Sequence, residues 1–401
     1  MTGAHIVVAG GGLAGATVVR ELRARGHTGP ITLVSDETHA PYDRPPLSKQ
    51  LLAGTFTPEQ TQILGPDTAA ELGVKLLLGV AVTALDDAGR RLELADGSRL
   101  DYDELVIATG SRARRLPSIP DLPGVHYLRT LDDATALAEA LRQSRRLVVV
   151  GAGFIGLEVA AVARDRGIDV TVVETAACPL TRVLGPTAGR LIADLHESHG
   201  VRLRCSRGIA DVRGSSRVED VVLTDGEVIP ADLVLVGVGA VPNTEWLAGS
   251  RVQVDDGVVC DETGRSSVSG VWAAGDVSRW RNALTGAQVR VEQWQSAVEQ
   301  ATVVADRLTG GDRVWDSVPY FWSDQYDKKL QFCGSPGALT ATRDTARGPV
   351  VCFGDGPADD ADTARLVGVL TLSNPRALAH GRRLVAAGTS WAKAQEWLAT
   401  L

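Results

Sequence analysis

The chain has 401 residues, enough for two or three domains with well-buried cores. Its 41 basic and 49 acidic side chains leave a formal charge of -8, which argues against nonspecific binding to nucleic acid, a polyanion, and leaves only local basic patches open. Five cysteines, Cys178, Cys205, Cys260, Cys333 and Cys352, are far apart; with no Cys-x-x-Cys and no Cys/His cluster of ligand spacing they read as free thiols of a reducing cytosol, with no metal site. The opening Met1-Thr2-Gly3-Ala4-His5 lacks a basic n-region and runs at once into a strand, so no secretory leader and a cytoplasmic location are expected. The apolar run Leu147 to Ala163 approaches membrane-spanning length, but Gly151, Gly153, Gly156 and Glu158 within it fit a strand-turn-helix pattern better than a span.

The first predicted unit runs from the strand His5-Ile6-Val7-Val8-Ala9 through Gly10-x-Gly12-x-x-Gly15 into a helix from Ala16 to Arg25, then a strand from Ile31 to Val34 that ends at Asp36. In such a unit the first glycine permits the tight turn, the second lets the backbone approach a pyrophosphate, and the third lets helix and strand pack closely. The anion rests on the helix N-terminus, whose N-H groups have no intrahelical acceptor. A carboxylate roughly 20 residues on can accept from a ribose diol; Asp36 stands there, with Glu37 beside it able to share or take the role.

Next comes Pro41-Tyr42-Asp43-Arg44-Pro45-Pro46-Leu47-Ser48-Lys49, too rich in proline for a regular element. A short strand region around Lys75 to Val82 precedes a buried strand that ends at Ala108-Thr109-Gly110. Pro117, Pro120 and Pro123 mark a crossing between domains, followed by a helix around Asp132 to Arg142.

The second unit repeats the first: Leu147 to Val150, Gly151-x-Gly153-x-x-Gly156, a helix through Arg164, and a strand from Val170 to Val173 ending at Glu174. One glycine pattern alone is weak, because such turns also serve packing; two in full context are strong. Two dinucleotides in one chain suggest an electron relay, one held permanently as a flavin and the other arriving as a soluble nicotinamide. Glu158 follows on a helix otherwise apolar at Ile155, Leu157, Val159 and Ala160, where burial of a charge is costly unless it is paired.

A further buried strand, Ala231 to Val236, leads to a glycine-rich crossover from Gly237 through Gly239 to Asn243, where the chain is expected to return to its first domain. Val271-Trp272-Ala273-Ala274-Gly275-Asp276 reads as a strand with Asp276 near a helix start, a position that suits an N-cap as well as a ligand contact. Glu292-Gln293-Trp294 opens the periodic helix Ala297 to Leu308. Beyond Asp316, short strands (Lys329 to Phe332, Val350 to Phe353, Leu366 to Leu372) and a helix from Arg376 to Ala387 predict an antiparallel-plus-helix domain. The predicted fold is α/β: two Rossmann-like dinucleotide-binding domains, residues 1–110 with 237–315 and residues 111–236, plus a C-terminal α+β domain over 316–401.

In this order the motifs resemble, over nearly the whole chain, the glutathione-reductase-like pyridine-nucleotide flavoprotein oxidoreductases. Within them the chain is similar to the FAD-dependent NADH:ferredoxin reductases of the putidaredoxin reductase and biphenyl dioxygenase reductase type. The two glycine units, Ala108-Thr109-Gly110 and Ala274-Gly275-Asp276 mark the superfamily. The string Pro41 to Lys49, Glu292-Gln293-Trp294 and Pro319-Tyr320-Phe321-Trp322-Ser323-Asp324-Gln325 mark the narrower group.

The resemblance implies noncovalent FAD on the first unit. Gly10, Gly12, Leu13, Ala14 and Gly15 would line its pyrophosphate, Asp36 its adenosine ribose and Val82 its adenine. Arg44 and Lys49 would approach from the proline loop, Ala108, Thr109 and Gly110 from the next strand end, Arg129 at the phosphates or ribityl region, and Asp276 at the ribityl chain. Trp294 would stack near the isoalloxazine, although core packing is also open to a tryptophan. NADH would lie on Gly151, Gly153, Phe154, Ile155 and Gly156, with Gly239 nearby and Glu174 on its ribose. Glu158 would stand near the nicotinamide with Lys49 as counter-ion, so Lys49, Glu158 and Trp294 are the candidate catalytic residues.

NADH is expected over NADPH, because Glu174 repels a 2'-phosphate and Thr175-Ala176-Ala177 offers no arginine to pair with one. The stretch Asp36 to Gln62 has no cysteine, which excludes there the redox disulfide or single redox cysteine of glutathione-reductase-like enzymes and NADH peroxidases. The chain also lacks a cysteine set for a cluster, so the implied acceptor is a separate small iron-sulfur ferredoxin serving a cytochrome P450 or a ring-hydroxylating dioxygenase. Rival readings are an NADH oxidase or rubredoxin reductase, and an NADH-responsive scaffold, whose added basic segments are not visible. Docking of an acidic ferredoxin would use Arg44, Lys328, Lys329, Arg382 and Arg383, on a monomer or weak dimer.

Overall fold

The computed structural model describes residues 3–357, 360 and 363–401; Met1 and Thr2 of the N-terminal reading lie outside the described residues. Contacts divide the chain into two compact units: Met1–Arg44, Pro58–Arg112 and Ala240–Ser317 form the first, and Pro45–Thr57, Ala113–Gly239 and Val318–Leu401 the second.

The first unit is built on five parallel strands in the order Val271–Ala273, Glu104–Ile107, Ile6–Ala9, Ile31–Ser35, Val74–Leu78. The first strand of the chain lies at the centre, and later strands are added to one side and then the other. That reversal leaves a crevice outside the carboxyl ends of Ile6–Ala9 and Glu104–Ile107, the switch point at which open α/β sheets bind ligands. Ile6, Val7, Val8 and Ala9 are all essentially inaccessible, because a central parallel strand is covered on both faces and so reads as an unbroken apolar run. Helices Leu13–Ala24 and Trp294–Leu308 pack against each other.

Fully buried Gln300 on the second of these helices accepts the Gly275 N-H at 2.9 Å and lies 3.3 Å from the Ser278 hydroxyl. It thus braces the turn that carries Asp276. The structure corrects the expected helix start here, since Asp276 sits in a turn that feeds the strand Ser278–Arg281. Both the amide and the hydroxyl of Ser278 return to the Gly275 carbonyl, at 2.9 and 2.7 Å, closing the turn where a helix would have opened. Asp276 is no N-cap.

In the second unit the parallel sheet repeats the plan, with order Arg202–Arg204, Asp169–Val173, Arg146–Val150, Leu233–Val236, Val125–His126. A separate antiparallel sheet follows in the order Tyr320–Gln325, Lys328–Gly334, Arg365–Leu372, Val350–Asp355, Leu339–Arg343. Helices Pro375–Ala386 and Trp391–Ala399 accompany it. The strands Tyr320–Gln325 and Leu339–Arg343 and the last helix were not among the predicted elements. In Leu339–Arg343 only Leu339 and Ala341, both partly buried, pack on the core, too short an apolar pattern to announce a strand.

The proline loop also differs from expectation, forming a 3-10 turn at Pro45–Ser48 and a short helix at Gln50–Ala53. Proline is tolerated in a first turn, where its missing N-H has no acceptor to lose. Residues 45–57 group with the second unit because this helix packs on Leu131–Gln143 and the Arg166 guanidinium donates to the Leu52 carbonyl. Residues 318–401 group there too, with the Phe321 ring 4.7 Å from that of Phe154 in an edge contact.

Candidate functional site

Both glycine turns show the same three-part geometry. Gly10 has φ +126°, and a Cβ on it would lie 2.0 Å from the Ala108 carbonyl oxygen, so only glycine fits beneath the neighbouring strand end. A Cβ on Gly15 would lie 2.0 Å from the Gly10 carbonyl oxygen, which makes Gly15 the close-packing glycine. Around Gly12 a Cβ would meet nothing within 4 Å. Gly12 is also the residue before the helix Leu13–Ala24 and supplies no side-chain cap, so no side chain there competes for the first-turn N-H groups. A cradle without a side chain at the start of a helix is what a pyrophosphate needs, and these residues fit a dinucleotide.

In the second unit Gly151 has φ +97° with a Cβ position 2.3 Å from the Gly237 carbonyl oxygen, and a Cβ on Gly156 would lie 2.5 Å from the Gly151 carbonyl oxygen. Gly153 again leaves room, its nearest neighbour 3.8 Å from a Cβ. Phe154 is anchored on Phe321, whereas Ile155 is exposed, an apolar side chain left beside the glycine cradle. Gly239 has φ +102°, and its carbonyl accepts the Arg114 N-H at 2.9 Å.

The two acidic candidates after the first cradle have different surroundings. Glu37 accepts from the Tyr42 hydroxyl at 2.5 Å and from the Arg44 guanidinium at 2.7 Å, and the same guanidinium stacks 5.2 Å from the Tyr42 ring centre. Asp36 is exposed and its carboxylate makes no such contact. Arg44 and Glu37 therefore pair with each other, and Asp36 stands outside that pair.

Beside the first cradle, Ala108 N-H donates to the Ala9 carbonyl at 2.7 Å, while the Thr109 hydroxyl donates to the Asn243 carbonyl at 2.8 Å and Asn243 Nδ2 to the Thr109 carbonyl at 2.9 Å. Gly110 completes this brace by accepting the Asn243 N-H at 3.0 Å. Asn243, read from sequence only as part of a crossover, is thus a support of the site. Half-buried Asp276 lies 3.3 Å from the Ser111 hydroxyl. Val82 opens the strand Val82–Asp86. Trp294 is 38% exposed and its indole N-H donates to Asp43 at 2.8 Å, which removes core packing as its role. Arg129, in the second unit, stands before the helix Leu131–Gln143, its amide held by Asp133 at 2.9 Å.

Glu174 does more than end a strand. Its carboxylate accepts the Ala152 N-H and the Ala176 N-H, both at 2.8 Å, so it braces the second glycine turn from below. Arg204 and Arg207, too distant in sequence to be read as neighbours, lie alongside: Glu174 N-H donates to the Arg204 carbonyl and Arg207 N-H to the Glu174 carbonyl, each at 3.0 Å. Their guanidinium groups are held by Glu227, at 2.9 and 2.5 Å, and by Asp225 at 2.9 Å.

The most buried charged group of the second unit's site is Glu158, paired with Lys49 at 2.7 Å. The Ser48 hydroxyl donates to the same oxygen at 2.5 Å, and the Ser323 hydroxyl to the other at 2.6 Å. The structure brings these four together from three separate stretches of chain. Of the docking candidates, Lys328 pairs with Asp327 at 2.7 Å and Lys329 lies 3.5 Å from Asp324. Arg382 donates to the Val318 carbonyl at 3.2 Å, and Arg383 is exposed. With Arg44 on Glu37, three of these cations have carboxylate partners, a finding the charge pattern alone did not disclose.

Two family profiles match the chain: one described as pyridine nucleotide-disulphide oxidoreductase over residues 4–301, and one described as reductase C-terminal over residues 320–397. Rhodocoxin reductase of Rhodococcus erythropolis is 40% identical over 393 residues, spanning 95% of this chain and 89% of the relative. The ferredoxin--NAD(+) reductase component of the anthranilate 1,2-dioxygenase system of Burkholderia cepacia is 38% identical over 392 residues, 97% of this chain and 95% of its own. Among solved structures, the covalent putidaredoxin reductase-putidaredoxin complex superposes with a TM-score of 0.91 at 36% identity, covering 96% of this chain and 93% of that one.

Proposed function

The chain belongs to the pyridine nucleotide-disulphide oxidoreductase family, and from that premise we propose that it is an FAD-dependent NADH:ferredoxin reductase. It passes electrons from NADH to a small iron-sulfur ferredoxin that supplies a cytochrome P450 or a ring-hydroxylating dioxygenase. The observation that carries this reading is the pair of open glycine cradles, each at the switch point of its own parallel sheet. Bound noncovalently, FAD supplies the exchange between two-electron delivery by a nicotinamide and one-electron delivery to a cluster.

Residues 1–110 with 237–315 hold FAD, residues 111–236 hold NADH, and 316–401 form the third domain. Gly10, Gly12, Leu13, Ala14 and Gly15 seat the pyrophosphate, and exposed Asp36 receives the ribose hydroxyls, while the charge of the neighbouring Glu37 is offset by Arg44. Ala108, Thr109, Gly110, Val82, Arg44 and Asp276 line the remaining length. Trp294, fixed by Asp43, offers an exposed ring face for stacking. Gly151, Gly153, Phe154, Ile155, Gly156 and Gly239 receive NADH, and Glu174 its ribose. Lys49 and Glu158 fix the reacting ends in the reductive step. All five cysteines are free thiols, in keeping with a reducing compartment such as the cytoplasm.

The test mixes purified protein with NADH, candidate ferredoxins and cytochrome c. Cytochrome c reduction that requires a ferredoxin is the expected result. Oxygen consumption at the same rate with no ferredoxin present would make the protein an NADH oxidase.

A further inference from the structure

Glu158 is the end of a buried hydrogen-bonded row. Ser323 Oγ lies 2.6 Å from Glu158 Oε1, Gln325 Nε2 lies 3.1 Å from Ser323 Oγ, His196 Nε2 lies 2.9 Å from Gln325 Oε1, and the Tyr326 hydroxyl lies 3.2 Å from His196 Nδ1. Ser323, Gln325 and His196 are almost wholly inaccessible. The first two share a face of the strand Tyr320–Gln325, and the third comes from the last turn of the helix Thr181–Ser198. Burying three polar side chains is unfavourable unless each is satisfied, and here each is.

Chemistry fixes the direction of every bond. A carboxylate paired with Lys49 can only accept, so Ser323 donates its single proton to it. Ser323 Oγ must then accept from Gln325, which presents its amide nitrogen and turns its oxygen to His196. That oxygen requires a proton on His196 Nε2, which leaves Nδ1 bare to accept from Tyr326. Burial pushes the His196 imidazolium down to about 4, against the opposing hydrogen bond to Gln325, so the ring is neutral at physiological pH and carries one proton. Other charged groups border the row, Arg164 and Asp165 acting on the Tyr326 hydroxyl with opposite signs. Lys49 faces Glu158 from the proline segment, Asp324 turns to the other face of its strand beside Lys329, and His199 stacks on the Tyr326 ring at 3.7 Å.

We propose that Ser323, Gln325 and His196 are positioning residues for the reductive step: their one-directional row locks the rotation of the Glu158 carboxylate, so that Oε2 is reserved for Ser48 and Lys49. The row acts through Glu158 and touches no substrate itself. This rests on the roles assigned above to Lys49 and Glu158. A merely packed core would have used apolar side chains at these three positions, at no risk of an unpaired polar group.

Two measurements on the holoprotein test it. Long-range nitrogen-proton NMR of the histidine rings should show His196 as the neutral, Nε2-protonated tautomer at about pH 7. In stopped-flow mixing with NADH, Ser323→Ala should slow flavin reduction about tenfold, the order expected when one hydrogen bond to a charged group is lost, with little change in NADH affinity. Ser323→Thr should restore the rate, and Ser323→Ala combined with Gln325→Leu should be no slower than Ser323→Ala alone, because the row is already cut. An Nδ1-protonated or cationic His196 at that pH, or an unchanged rate in Ser323→Ala with a native flavin spectrum, would overturn the proposal. If Ser323→Ala does not fold, the tautomer in the unaltered protein decides. Failure of NADH to reduce the unaltered protein would instead sink the reductase reading while leaving the tautomer result standing.

Discussion

Lys49 and Glu158, 109 residues apart in the chain, meet as an ion pair of 2.7 Å whose side chains are only 13% and 6% exposed. The pair is asymmetric. Without Lys49, Glu158 keeps hydroxyl donors from Ser48 and Ser323; without Glu158, the Lys49 ammonium keeps only Ser48, at 3.2 Å.

Glu158→Ala should therefore destabilise the protein more than Lys49→Met does, toward the about 3 to 5 kcal/mol typical of a broken buried pair. Both variants should slow flavin reduction by NADH, since displacing reacting groups by about 1 Å can cost on the order of a hundredfold. Thermal melts and stopped-flow reduction measure the two effects separately. Unchanged reduction in both variants with FAD still bound would leave the pair a purely structural role.

The glycines of the first cradle should separate packing from ligand binding. Gly10→Ala places a Cβ against the Ala108 carbonyl at a φ of +126°, a strain of at least about 1 to 3 kcal/mol, and should unfold or misfold the unit. Gly12→Ala meets no protein atom within 4 Å, so the fold should survive, yet the new methyl occupies the space kept for the pyrophosphate. Purified Gly12→Ala is expected to give a native circular dichroism spectrum with a much reduced flavin-to-protein ratio. A full flavin complement in that variant would move the pyrophosphate elsewhere.

Legibility in the sequence followed physical cause. Gly10, Gly15, Gly151 and Gly156 were readable because a close backbone approach admits no other residue, and that requirement is written directly into residue type. Lys49 and Glu158 were each conspicuous alone, a lysine in a fixed loop and a charge on an apolar helix. Ser323 and Gln325 were not, because the strand Tyr320–Gln325 inverts the usual rule. Its buried face is Phe321, Ser323 and Gln325, while Tyr320, Trp322 and Asp324 lie on the more accessible face. An alternation whose inward positions are polar does not register as a strand, and only the distant His196 and Glu158 explain it. Asp276 failed for a local reason: whether a residue after Ala-Gly opens a helix or closes a turn depends on Ser278 and Gln300, and Gln300 lies a helix away.

Cofactor choice should depend on more than Glu174. That carboxylate also braces the Ala152 amide, so Glu174→Ala should raise the KM for NADH as well as narrow the preference over NADPH. Glu227 holds Arg204 and Arg207. Glu227→Gln should free the Arg204 guanidinium, Arg207 keeping Asp225, to meet a 2'-phosphate, raising kcat/KM for NADPH by several-fold, within the about 1 to 3 kcal/mol of common specificity contacts. Steady-state kcat/KM with both cofactors checks this. Equal values in the unaltered protein would remove the assignment of Glu174.

Ferredoxin docking should be sensitive to salt if opposite charges steer it, because the Debye length shrinks from about 10 Å at 0.1 M to about 3 Å at 1 M. Lys328, Lys329 and Arg44 each have a carboxylate partner, so reversal at exposed Arg383 is expected to raise the apparent KM for ferredoxin more than reversal at Lys328 does. NADH-ferricyanide activity, which needs no docking, should barely change. A salt-independent KM for ferredoxin, unmoved by reversal at either position, would exclude electrostatic docking through this surface.

His196 should make stability depend on pH in a defined window. Its folded value of about 4 lies below the ordinary 6.5, chiefly because of burial. Between those values the unfolded chain binds a proton that the folded chain does not, so stability rises with pH across the window. The contribution is complete above about pH 6.5, declines by about 1.4 kcal/mol per unit on acidification, and levels off near pH 4 after a loss of about 3 kcal/mol. His196→Asn keeps an N-H for Gln325 but cannot take up a proton. The urea midpoint of the unaltered protein should therefore fall, relative to that of His196→Asn, between about pH 7 and pH 5, while carboxylates common to both proteins cancel from the difference. A difference between the two midpoints that is the same at both pH values would mean that His196 is not held neutral by its burial, and its Nδ1 would then not be reserved to accept from Tyr326.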